Sequence, residues 1–186
     1  MLPVSDRPRS LMAGFRLLFL SLLAGTLFAP SGAAHAEPPA AQPVDACALL
    51  TQADIEEVFA AAVGAPTPKS VGRGPFWVSM CHYDNAHTEA PMLSVGFLVK
   101  AHGAADPAQA YTDYVAELRR ELGELAAPAS VEGLAGPAGW DAATGQLTLF
   151  AGPYQVILTT LGRYSGDRLD LAKQIAERVP GRLPKP

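Results

Sequence analysis

Clustered positive charge and a long apolar run are both missing from this sequence. Its 14 Lys and Arg residues are scattered among 18 Asp and Glu residues, which gives a formal net charge of −4. Neutralising nucleic-acid phosphates needs clustered positive charge, so the composition argues against a nucleic-acid partner. The most apolar run, residues 17–28 (LLFLSLLAGTLF), has twelve residues. A helix needs roughly 20 to cross a bilayer, so we expect no membrane span in the mature chain.

Catalytic signatures are missing as well. The chain has no G-x-S-x-G elbow and no H-E-x-x-H pair. Gly133, Gly136 and Gly139 form a G-x-x-G-x-x-G string, but no strand-to-helix transition follows it, so these residues are interpreted as turn glycines. The sequence therefore predicts no cofactor and no assignable catalytic residue. A hydrolase whose site is assembled from distant residues is left open as an alternative.

The first 36 residues have the order of a secretory signal peptide. Arg7, Arg9 and Arg16 give a positive start, the apolar run follows, and Ala-His-Ala occupies positions 34–36. We expect cleavage after Ala36 and a periplasmic or secreted protein. An uncleaved N-terminal anchor is the alternative. Removal of the leader takes the formal net charge from −4 to −6, because three arginines and one aspartate leave with it.

The rest of the chain predicts a tether and one domain. Residues 37–43, EPPAAQP, form a Pro/Ala-rich tether. Residues 44–182 have the usual size of a single domain.

Helix and strand signals along this domain predict the order α-ββ-α-βββ-α. Thr51 is a helix N-cap with Asp54 in the first turn, and Asp106-Pro107 opens a second helix. That second helix carries an apolar stripe, which we expect to pack on a sheet, and a membrane-surface helix is the alternative. The stripe consists of Tyr111, Tyr114, Val115, Leu118, Leu122 and Leu125. The order predicts an α+β fold, an antiparallel sheet with helices packed on it. The remaining predicted segments are a loop at 64–75, strands at 76–83 and 92–101, a β-meander after Pro128 and a closing helix at 167–179.

Cys47 and Cys81 are the only cysteines of the chain. Two thiols in an oxidising compartment are most simply a disulfide. A redox pair is the alternative, although such pairs normally have the spacing Cys-x-x-Cys. A bridge that closes a loop of about 35 residues would contribute roughly 3–4 kcal/mol on the chain-entropy account.

The stretch MCHYDNAH, residues 80–87, is the densest group of possible metal ligands. His82 and Asp84 are two residues apart on a predicted strand, so they face the same way, and His87 lies across the turn. Imidazole and carboxylate suit copper or zinc, so periplasmic metal binding by these three residues is one hypothesis. The other interpretation is that the polar residues serve the turn, where His, Asn and Asp are common.

Phe76, Val78 and Met80 make one side of the first hairpin apolar, with Tyr83 or Trp140 as possible aromatic anchors. Exposed apolar patches with aromatic residues mark binding surfaces, although buried packing explains the same residues. We therefore expect a non-enzymatic binding or accessory module with a protein or small-molecule partner in the cell envelope.

Four motifs resemble one group of proteins: D-A-C-A-L-L-T (45–51), C-H-Y (81–83), V-E-G-L-A-G-P-A-G-W (131–140) and G-Q-L-T-L-F-A-G-P-Y-Q-V-I-L (145–158). With the closing helix they are similar to small exported bacterial proteins of unassigned function, many of them lipoproteins. The resemblance spans about residues 45–180 and implies a disulfide between the two cysteines. This chain lacks a lipidation cysteine. More distantly the pattern resembles the PsbP-like α/β sandwich, which implies a role in binding partners and carries over no catalytic residue.

Overall fold

A computed structural model describes residues 41–72, 76–86, 93–104, 106–162 and 166–185. All of them belong to one compact unit, Ala36–Pro186. Among these described residues, no helix has both the length and the apolar character needed to cross a bilayer.

A seven-stranded sheet forms the centre of the unit, in the order β1-β2-β3-β7-β6-β5-β4, and every neighbouring pair is antiparallel. The strands are β1 Thr67–Val71, β2 Val78–Asp84, β3 Leu93–Ala101, β4 Ala129–Val131, β5 Ala138–Asp141, β6 Gln146–Ala151 and β7 Tyr154–Gly162. The predicted fold class, an α+β domain with an antiparallel sheet, is confirmed.

In the described part of the chain, four α-helices accompany the sheet: α1 Ala46–Leu49, α2 Gln52–Phe59, α3 Pro107–Leu122 and α4 Arg168–Ala176. The predicted caps are present. Thr51 and Asp54 form a full capping box, in which each side chain accepts from the other residue's backbone N–H. The Asp106 side chain accepts from the Gln109 N–H at the start of α3.

Strand β1 corrects the prediction of a loop over residues 64–75. All five of its side chains are exposed, so its sequence, TPKSV, shows no apolar alternation that could have revealed a strand. It forms because it pairs with β2, from Thr67 opposite His82 to Val71 opposite Val78. The meander likewise has four strands instead of three, because the short segment β4 pairs with β5.

The main core lies on one side of the sheet, called here the inner side. Helices α1, α2 and α4 pack there, and α2 and α4 contact each other. The buried strand residues of this side alternate along each strand, as expected for a sheet with one face on the core. They include Cys81 and Tyr83 of β2, Val95, Phe97 and Val99 of β3, Leu147 and Leu149 of β6, and Val156 and Leu158 of β7. Trp77, just before β2, is buried in the same core.

The N-terminal segment is held to the sheet by Trp77, just before β2, and by three successive inner residues of β2. The Trp77 indole donates to the Ala41 carbonyl at 3.4 Å, and Ser79 Oγ accepts from the Ala46 N–H at 3.0 Å. Cys81 forms the disulfide with Cys47, and the Tyr83 hydroxyl donates to the Leu50 carbonyl. The predicted disulfide is confirmed.

The last three residues of the predicted tether, 41–43, are among the described residues. Ala41 packs against the core and accepts the Trp77 hydrogen bond, so the chain already joins the domain at this residue.

Candidate functional site

Within the described residues, the other side of the sheet, called here the outer side, is covered by a helix at one end only. Helix α3 lies over β6 and the neighbouring β5 there. The rings of Tyr111 and Tyr114 contact Phe150, with centroids 5.9 and 5.7 Å away, and Tyr114 Oη lies 3.4 Å from Thr148 Oγ1. Phe150 and Ala110 are buried, but they stand apart from the main core. The contact between α3 and the sheet is therefore a small second cluster.

Gly139 allows this packing. A Cβ atom at this position of β5 would lie 2.9 Å from the Pro128 ring and 3.0 Å from the Tyr111 hydroxyl. Gly136, in the same glycine string, is equally constrained, because a Cβ there would come within 2.0 Å of the Phe150 carbonyl oxygen. These two glycines serve close packing, and Gly139 lies within a strand instead of the predicted turn.

The apolar stripe of α3 is only partly covered by the sheet. Ala110 is its one buried residue, while Tyr111, Tyr114, Val115 and Leu118 are half-buried. Leu122, at the end of the helix, is 70% exposed. The expectation that the stripe packs on a sheet is met for the first half of the helix, and the second half leaves apolar surface in contact with water.

At the opposite end, the outer side carries partly exposed apolar side chains in adjacent positions. Met80 of β2 pairs with Leu98 of β3, and Leu98 pairs with Ile157 of β7. All three are half-buried, as is Val78, the next outer residue of β2. Phe76, just before β2, is 83% exposed. These five residues, Phe76, Val78, Met80, Leu98 and Ile157, are called the outer patch below.

The large apolar residues that are exposed on strands in the described part of the chain both lie on the outer side. Four large apolar side chains in the described part of the chain are classed as exposed: Val71, Phe76, Leu122 and Leu161. Val71 pairs with Val78, and Leu161 pairs with Ser94, so both lie on the outer side. Phe76 precedes β2, and Leu122 ends the helix of the outer side. Isolated exposed apolar residues are ordinary, but a group on one surface marks a contact site.

Tyr83 and Trp140 do not belong to this surface, and their predicted role as aromatic anchors is wrong. Tyr83 is fully buried on the inner side, where desolvation raises the pKa of its hydroxyl to about 12. Trp140 is 9% exposed and belongs to the main core. The period of two along β2 already separates Tyr83 from Met80. Leu98 and Ile157 do belong to the outer patch. Their place beside Met80 follows only from the pairing of β2, β3 and β7.

The structure brings together two of the three candidate metal ligands. His82 Nε2 lies 3.1 Å from Asp84 Oδ1, and both side chains are largely exposed. His87 lies outside the described residues. Within the described ranges there is no group of three or more His, Cys, Asp or Glu side chains placed to hold a metal ion. The hydrogen bond between His82 and Asp84 explains why the two side chains lie together.

Ser94 stands next to this pair but does not complete a catalytic triad. Its hydroxyl lies 3.1 Å from His82 Nε2, the same nitrogen that contacts Asp84. In a triad the serine and the carboxylate contact opposite nitrogens of the histidine ring. The carboxylate orients the imidazole, and the imidazole removes the proton of the serine hydroxyl. Here the second nitrogen, Nδ1, faces Gly96. This arrangement gives no support to the hydrolase alternative.

The strongest electrostatic feature is structural. Asp54 is buried, and Arg182 binds its two oxygens at 2.6 and 2.9 Å while Arg178 approaches at 3.2 Å. The Arg182 hydrogen bond, assisted by those from Thr51 and Arg178, holds the pKa of Asp54 well below its ordinary value despite burial. Both carboxylate oxygens are occupied, so Asp54 is not available to a substrate. Sequence reasoning found its capping role and missed the arginines, which lie more than 120 residues away.

An open cleft of about 390 Å³ lies on the inner side, lined by Trp140, Ala142, Gly166, Asp167, Arg168 and Leu169. Its polar groups already have partners. Asp167 accepts from the backbone at the start of α4, and Arg168 donates to the Thr160 carbonyl at 2.8 Å. The cleft therefore offers less to a ligand than the outer patch does.

Searches for similar proteins among protein-family models, curated sequences and solved structures gave no match. The resemblance to small exported bacterial proteins and to the PsbP-like sandwich stays a prediction.

Proposed function

We propose that this chain is an exported, non-enzymatic binding or accessory module whose contact surface is the outer patch. The observation that carries the proposal is the group of partly exposed apolar side chains on the outer side, within the described residues. The inner side has its helices and a continuous core. The outer side offers half-buried Val78, Met80, Leu98 and Ile157 beside exposed Phe76. A contact there would remove this apolar area from water, which favours association.

The face of the sheet is a better contact site than its edges. The edge strand β1 contains Pro68, which has no N–H to donate, and Lys69, and both residue types disfavour the addition of another strand. The opposite edge, β4, has only three residues. A partner would therefore be recognised mainly through side chains of the outer patch.

Export is part of the proposal. The disulfide between Cys47 and Cys81 is typical of proteins from oxidising compartments. The proposed leader and cleavage after Ala36 agree with it, and a partner would then be met in the cell envelope or outside the cell.

Site-specific photo-crosslinking tests the contact surface. A photoreactive phenylalanine analogue replaces Phe76 in the tagged protein, which is expressed in its native host and irradiated in intact cells. The matched control carries the analogue at Gln174, an exposed position of α4 on the inner side. We expect a discrete adduct from position 76 and none from position 174. Equal labelling at both positions, or no adduct at position 76, would contradict the proposal.

A further inference from the structure

The uncovered part of the outer side has the width of one helix. Neighbouring strands lie about 4.8 Å apart, so β2, β3 and β7 together span about 14 Å, and a helix with its side chains measures about 10–12 Å. Strand β3 has nine residues, which makes it about 30 Å long. Helix α3 occupies the other end of the same side. A second helix lying beside α3 would cover Met80, Leu98 and Ile157.

Unpaired positive charge flanks this space. Lys69 of β1 pairs with Met80, and Lys100 of β3 pairs with Val78, so both lysines lie on the outer side next to the apolar residues of β2. Neither lysine has an ion-pair partner within the described ranges. This placement is notable in a chain whose formal net charge is negative. Acidic side chains on the occupant would complement it.

The α3 side of the space carries acidic side chains, which would not attract an acidic occupant. Glu117 and Glu121 of α3 lie 3.8 and 3.9 Å from Arg120, which partly offsets them. On the strands, Asp84 already contacts His82. The strand side of the uncovered part is therefore where a charged occupant gains most.

A second copy of this chain is a poor occupant. The first half of its apolar stripe holds helix α3 on its own sheet, so the helix would enter the space mainly with its solvent-facing side, which carries Asp113, Glu117 and Arg120. Placing those charges on Met80 and Leu98 would desolvate them without partners.

We infer that the outer patch receives an amphipathic helix of a partner protein, with an apolar stripe on Met80, Leu98 and Ile157 and acidic side chains beside Lys69 and Lys100. This inference depends on the proposed function and adds the chemistry of the partner. Helices commonly bind apolar surfaces through residues spaced three and four apart, which suits a shallow face without a deep cavity.

Synthetic helices test the inference directly. The probes are three 18-residue peptides with the same leucine stripe, edged with glutamate, glutamine or lysine, and binding to the mature protein is followed by fluorescence anisotropy. We expect the glutamate-edged peptide to bind about tenfold tighter than the lysine-edged one, because two charge contacts change sign between them. The Lys69→Glu, Lys100→Glu double variant should reverse that order. Lys185→Glu, the same type of substitution at one exposed C-terminal lysine away from the patch, should leave it intact.

Three outcomes would overturn the inference: no peptide binds, edge charge has no effect, or Lys185→Glu acts like the double variant. Circular dichroism of each variant shows that the fold is retained. If the native adduct at position 76 forms while no peptide binds, the helical partner is wrong and the contact surface stands. If the adduct is also missing, the proposed function itself fails.

Discussion

At the scale of single residues, Asp54 joins distant parts of the chain. It caps α2 through Thr51 and binds Arg178 and Arg182, which follow α4. We expect Asp54→Asn to lower the free energy of unfolding by about 3 kcal/mol at pH 7, because removing one partner of a buried pair leaves charge uncompensated. This is the low end of the usual range, since both guanidiniums reach solvent. Urea denaturation measures it, and a change under about 1 kcal/mol would contradict the structural role.

The same residue predicts a pH dependence. The pKa of Asp54 in the folded protein is lower than in the unfolded chain, where it has its ordinary value near 3.8. Its contribution to stability is therefore complete above that ordinary value and is lost as the pH falls toward the lower pKa of the folded state. Unfolding midpoints between pH 6 and pH 2.5 should fall more steeply for the native protein than for Asp54→Asn. Parallel curves would show that Asp54 does not contribute.

His82 is predicted to have no special affinity for metal ions. Its imidazole already contacts Asp84 and Ser94, and the described residues contain no group of three or more side chains placed to hold a metal ion. Calorimetric titration with copper and zinc should give weak heats that are the same for the native protein and for the His82→Ala, His87→Ala double variant. Tight one-to-one binding that the double variant abolishes would restore the metal-binding hypothesis.

At the scale of elements, β2 and the segment from Ala41 to Leu50 act as one unit. The disulfide is flanked by three hydrogen bonds between the same two segments. The Cys47→Ala, Cys81→Ala variant should therefore keep its fold and lose roughly 3–4 kcal/mol of stability, the amount expected for opening a loop of this length. Circular dichroism and urea denaturation measure the two effects. An unfolded variant would show that the three hydrogen bonds cannot hold the two segments together without the disulfide. A variant of unchanged stability would show that the disulfide does not contribute to stability.

The sequence predicted those elements whose signals are local. The capping residues Thr51 and Asp106 and the alternation along β3 identified two helices and a strand correctly. Strand β1 was missed because exposed residues carry no apolar pattern and only pairing with β2 defines it. The sequence predicted only part of the outer patch, because the rest depends on strand pairing. Val78 and Met80 follow from the alternation of β2, whereas Leu98 and Ile157 become their neighbours only through the strand order β2-β3-β7.

At the scale of the whole molecule, the two sides of the sheet differ in how completely their apolar residues are buried. The inner side supplies the core, with three helices on the strands and the disulfide within it. The outer side has one helix with a small contact cluster, and the rest of its described surface is partly apolar and open to solvent. A charged residue introduced on the outer side should therefore weaken binding more than it lowers stability. A charged residue introduced on the inner side should mainly lower stability.

The most direct test places Leu98→Glu in the protein that carries the photoreactive residue at position 76. Leu98 is half-buried between Met80 and Ile157, so glutamate there can reach water and should shift the unfolding midpoint only slightly. The account predicts that the position-76 adduct disappears from intact cells while the protein stays folded. An adduct of unchanged yield in folded Leu98→Glu protein would contradict the claim that the outer patch is the contact surface.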